Sequence, residues 1–160
     1  MPNQLQTAFA QIAELPAEQQ LPATNMALRM AVPFLATAHI TFEKVEVREW
    51  IAHVPNEAGL RNHLGQVHAG LMITVAESVA VTMMGLSLPE ERLPLVKSID
   101  ARFVRRSSGK ITATARLTEE QLHQIKTEPK GEISIEVDAR DETGEPPILV
   151  TVVPAWTTRR

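Results

Sequence analysis

Apolar residues recur at helical spacing from Gln4 to about Glu14, with Leu5, Ala8, Phe9, Ile12 and Leu15 in phase until Pro16 ends the run. Thr24 is placed to cap a second helix that carries Met26, Leu28, Met30, Ala31 and Phe34, with Pro33 as a stop or kink near its end. The pattern then shortens to strand alternation. "AHITFEKVEVREWIAHVP" is rich in β-branched and aromatic residues and predicts one long bent strand or two in tandem. After the polar loop "NEAGLRNHLGQ", Leu71, Met72, Val75, Ala76, Val79, Ala80 and Met83 cover so much of a helix that it must be nearly surrounded by protein.

Beyond a second loop, "GLSLPEERLP", alternation returns. Ile99, Ala101 and Phe103 share one face, as do Ile111, Ala113, Ala115 and Leu117, and again Ile133, Ile135, Val137 and Ala139; "ILVTVVPAW" adds a final strand. "SSGK" predicts a tight turn, "EEQLHQIKTEPKG" a longer polar connection and "DETGEPP" a turn. Helix, helix, strand, central helix and a run of antiparallel strands make an α+β arrangement, the central helix packed on one sheet.

Composition narrows the function classes. The 160 residues suit a single ordinary domain, and the 44% hydrophobic and 22% charged content is that of a globular chain. A net charge of -3 and the absence of Tyr argue against nucleic acid as a partner. With no cysteine there is no disulfide or thiol nucleophile. The N-terminus lacks the basic start and apolar run of a secretory signal, and no apolar run approaches the length of about 20 residues needed for a membrane span. A cytoplasmic protein with no membrane span is expected.

Between Arg61 and Glu90 the only formally charged residue is Glu77, in the middle of the apolar helix. A carboxylate in such a setting is costly unless paired, hydrated or protonated, and desolvation should raise its pKa. One reading is a solvated strip formed with Thr74, Ser78 and Thr82. The loop in front favours a functional reading: Gly65, His68, Ala69 and Gly70 bring small residues to a helix N-terminus, where unpaired N–H groups suit an anion or a developing oxyanion.

"NHLGQVHAGLMITVAE" resembles the signature of hotdog-fold acyl-CoA thioesterases, most closely the phenylacetate-degradation (PaaI-like) group and its uncharacterised relatives. Asn62, Gly65, His68, Gly70 and Glu77 stand at the signature spacings, and "FVRRSSGKITATARL" resembles the later turn and strand. The resemblance implies a hotdog fold: a long central helix wrapped by a curved antiparallel sheet, here residues 38–160, preceded by a helical extension over 1–37 with two short helices. It also implies that Glu77 is the catalytic base or nucleophile, that the Ala69 N–H polarises the thioester carbonyl, and that Asn62 and His68 line the site beside Gly70.

Ala69 and Glu77 are eight positions apart, about 12 Å along one helix, too far to serve one carbonyl. The expected site therefore combines Ala69 of one protomer with Glu77 of another, in a homodimer or dimer of dimers. Its expected partner is acyl-CoA or another acyl thioester, with no metal or organic cofactor. The alternative is a non-catalytic acyl-CoA or lipid-binding hotdog protein, because Ala69 replaces the first glycine of the usual His-Gly-Gly and Val81 stands where many members carry a hydroxyl. Gly65, Thr74, Ser78, Arg105 and Arg106 are candidate substrate contacts, the arginines through CoA phosphates. His63 and His68 lack the partners of a metal site.

Overall fold

In the computed structural model, which describes residues 4–158, the N-terminal periodicity becomes helices α1 (Gln4–Ala13), α2 (Ala17–Ala31) and a short α3 (Pro33–Thr37). Thr24 is not a cap. It is buried in the middle of α2, because the helix-favouring Ala17–Gln20 stretch carries that helix back to Pro16. Pro33 occupies the first turn of α3, where a missing N–H is harmless.

The 38–55 segment folds as an antiparallel hairpin, β1 (Thr41–Val45) and β2 (Glu49–Val54). The other strands are β3 (Arg92–Phe103), β4 (Ile111–Arg116), β5 (Gly131–Glu132), β6 (Ile135–Arg140) and β7 (Ile148–Thr158). They form one antiparallel sheet in the order β1-β2-β4-β6-β7-β3, with β5 added on β7. The "SSGK" segment is thus no hairpin turn between neighbours: it carries the chain from the edge strand β3 across to β4.

Helix α4 (Ala69–Ser87) lies against β2, β3, β4, β6 and β7, and the sheet curves around it in the hotdog arrangement. Val75, Ala76, Val79, Ala80, Met83 and Met84 are buried between helix and sheet, facing Ala52, Val54, Ile111, Ala113, Val150 and Val152 in one core. Each fully buried Val or Met contributes about 1.5–3 kcal/mol. α4 is 19 residues long and, by length and apolarity alone, passes as a membrane span, which corrects the expectation that no apolar run comes near that length. Its packing on five strands accounts for the composition.

The polar connection after β4 is in fact a helix, α5 (Glu119–Thr127), started by a reciprocal capping box between Thr118 and Gln121. Its C-terminal carbonyls are held by the buried Arg92, which donates to Ile125 O at 2.7 Å.

At the sheet's two ends the edges are treated differently. The outer edge of β1 is closed by α2: Asn25 donates to Phe42 O at 2.9 Å and accepts the Phe42 N–H at 2.8 Å, acting as a one-residue strand. The outer edge of β3 has no such cover, and Leu95, Val96, Ile99, Phe103 and Val104 are exposed along it. The apolar face predicted for Ile99 and Phe103 exists, but the described residues of this chain do not bury it.

Candidate active site

The loop before α4 is built by Asn62. Its side-chain oxygen accepts from the backbone N–H of Leu64 at 2.9 Å and of Gln66 at 3.1 Å, while its own N–H donates to Gln66 O. Gly65 adopts φ 74° inside this turn, a left-handed conformation that favours glycine. The visible work of Asn62 and Gly65 is therefore to shape the loop, and the Asn62 amide nitrogen has no protein partner among the described residues.

The loop delivers His68 as the N-cap of α4, its Nδ1 accepting from the Gly70 N–H at 3.0 Å. A Cβ on residue 70 would lie 3.2 Å from that nitrogen, so glycine keeps the cap in place. Leu71 and Met72 donate to His68 O. In this first turn the Ala69 N–H alone has no acceptor among the described residues. A half-buried alanine thus presents the free donor of the helix N-terminus.

Two turns along, Glu77 is half-buried with no cation paired to it among the described residues. Burial pushes its carboxyl above the ordinary 4.5, only weakly opposed by the Ser78 hydroxyl, which donates to Oε2 at 3.4 Å. Ser78 is otherwise buried, and Thr74 turns back to donate to Gly70 O at 2.8 Å. Gly70, Ile73, Thr74, Glu77 and Val81 form a half-buried stripe along α4, with Ile73 and Val81 packed at the margin of the core. Clefts of about 650, 770 and 590 Å³ lie elsewhere, between α2 and β1, at the β1–β2 hairpin and over β3, β6 and β7. Glu77 and the Ala69 N–H, about 12 Å apart along α4, line none of these clefts.

Residues 22–156 match the family described as a domain of unknown function, DUF4442. The chain belongs to the DUF4442 family. No curated protein matches it. A Pseudomonas aeruginosa protein of unknown function named "Probable Thioesterase" is 28% identical over 91% of this chain and 97% of its own, with a TM-score of 0.77. A Haemophilus influenzae thioesterase is 19% identical over 86% of this chain and 90% of its own, TM-score 0.70. A mutant thioesterase from Pseudomonas aeruginosa is 18% identical over 91% and 97%, TM-score 0.69. The fold expected from the helix signature of this DUF4442 protein, the hotdog, is the fold it has.

The two candidate arginines of this DUF4442 chain differ in their surroundings. Arg105 is committed to the 141–145 turn: its Nη2 lies 2.8 Å from Asp141 Oδ1 and donates to Thr143 Oγ1 and Glu145 O. Burial alone would raise the Asp141 carboxyl, but hydrogen bonds from the Thr143 hydroxyl, Arg105 and the N–H groups of Ser108 and Thr143 bring it down to about 2. Arg106 is exposed, and its guanidinium has no partner among the described residues. Sequence reading missed Asp141 altogether; the "DETG" turn it opens was the available signal.

Proposed function

We propose that this protein hydrolyses acyl-CoA thioesters at sites shared between two copies of the chain. The observation that carries the reading is Glu77: a half-buried carboxylate with a raised pKa and, among the described residues, no counter-ion, on a helix whose N-terminus keeps one N–H without an acceptor there. Hotdog neighbours named as thioesterases support it. The uncovered β3 edge supports the assembly, since pairing β3 with β3 of a second copy would extend the sheet, bury its apolar residues and bring the two α4 stripes together.

In this arrangement the thioester carbonyl oxygen accepts from Ala69 N–H of one protomer, and Glu77 of the other takes a proton from water. The hydroxide adds to the carbonyl carbon, and the oxyanion is held by the amide dipole. Collapse breaks the C–S bond, and the CoA thiolate takes the proton back from Glu77. Direct attack by the carboxylate would form an anhydride that water then opens, with the same groups in place. Arg106 is the better placed of the two arginines to meet CoA phosphates, because Arg105 is already paired. The setting we infer is the cytoplasm, where acyl-CoA is available.

Thiol release from a panel of acyl-CoAs tests this. Wild type should hydrolyse at least one class and Glu77→Ala should not. Equal, slow turnover by both, with retained binding, would assign the non-catalytic acyl-CoA-binding role instead.

A further inference from the structure

The cleft between α2 and β1 does not include Glu77. It has a volume of about 650 Å³, and its lining includes Leu21, Asn25, Met26, Arg29, Met30 and Thr41. That is the size range of small-molecule sites. Its mouth is apolar: Met26 is 65% exposed and Met30 is 76% exposed, one helical turn apart on α2. Methionine thioethers adapt to flexible apolar ligands.

Its polar corner is cationic. Arg29 is half-buried and has no carboxylate partner among the described residues. Its Nη2 donates to Ile40 O at 3.0 Å and Thr41 Oγ1 at 2.9 Å, while among the described residues its buried Nε and its Nη1 have no partner. Thr41 Oγ1 accepts from Arg29, so its own proton remains to be donated. Asn25 is spent on the Phe42 backbone and does not compete. A half-buried guanidinium without a counter-ion is unfavourable until an anion joins it.

We propose that this cleft binds a straight-chain aliphatic carboxylate, its head on Arg29 Nη1 and the Thr41 hydroxyl, its tail along Met26, Met30 and Leu21. The site stands on the cleft alone and does not depend on the thioesterase reading.

The test is titration of the full chain with sodium decanoate and with decyltrimethylammonium, both below micelle formation, followed by methionine-methyl NMR. Decanoate should saturably shift the Met26 and Met30 methyls in wild type and in Glu77→Ala alike, with the cation weaker by at least about tenfold. Arg29→Gln should lose a similar factor. Because Arg29 also holds Ile40, Met30→Glu provides a second arm: it is a surface change that sets a carboxylate at the mouth, and it should weaken decanoate binding while leaving the thermal midpoint unchanged. Equal binding of acid and cation, absence of saturation, shifts centred on other methionines, or undiminished affinity in Met30→Glu would each overturn the proposal.

Discussion

His68 Nδ1 accepts the Gly70 N–H at 3.0 Å, and this one bond leaves Ala69 as the first-turn donor of α4 without an acceptor among the described residues. Residue 69 is the first helical position, and His68 before it has φ −58° and ψ 137°, a conformation compatible with a following proline. Ala69→Pro should therefore delete the free N–H while changing unfolding stability by less than about 1 kcal/mol. Acyl-CoA turnover should drop on the order of 100-fold. A mixed dimer of Ala69→Pro and Glu77→Ala protomers regains one intact site of two, so activity should partly return on mixing; no recovery in verified mixed dimers would count against a shared site.

Glu77 links protonation to stability with a definite sign. Burial raises its pKa above 4.5, so the folded chain holds this proton more tightly than the unfolded chain does. Stability is then lost as pH rises from 4.5 through the raised value, and the cost persists at neutral pH. Glu77→Gln should melt higher than wild type at neutral pH, with the difference closing below pH 4.5. Thermal melts across that range check it, and a variant that is less stable at neutral pH would refute the uncompensated carboxylate.

β3 offers a direct test of assembly. Leu95 is 50% exposed on the strand whose outer edge is unpaired among the described residues. Leu95→Lys places a charge where strand pairing would bury it, and edge lysines oppose such pairing. By light scattering the variant should have the mass of a monomer, and its thioesterase activity should fall with the dimer. A dimer retained at the wild-type association constant would exclude β3 from the interface.

The Asp141 turn supplies an acid-sensitive lock. Its carboxyl is held at about 2 against an ordinary 3.8, so its contribution is complete above 3.8 and is lost as pH falls through 2. That contribution is roughly 2 kcal/mol. Asp141→Asn should remove this part of the acid dependence of urea unfolding, bringing the variant and wild type together as pH approaches 2. A constant gap between them would show that Arg105 and Thr143 favour the charged carboxylate no more than the neutral group.

What could be read from order alone was whatever neighbours in the chain decide. The alternation of Ile111, Ala113 and Ala115, and of Ile135, Val137 and Ala139, gave their buried faces, because successive strand side chains point to opposite sides. The helix around Glu77 and the oddity of a charge there were legible for the same reason. The T-x-x-Q capping box of α5 was equally local and went unread.

Tertiary structure decided the rest, through partners far apart in sequence. It set β3 beside β7 rather than β4, which left Ile99 and Phe103 on an open edge despite their correct periodicity. It gave Arg105 to Asp141, although the two resembled an ordinary basic turn and an ordinary acidic one. Folding of the Asn62 loop placed the His68 imidazole on Gly70 rather than on Ala69. Periodicity records which face is apolar, but only long-range pairing determines what covers that face and which polar group is left free.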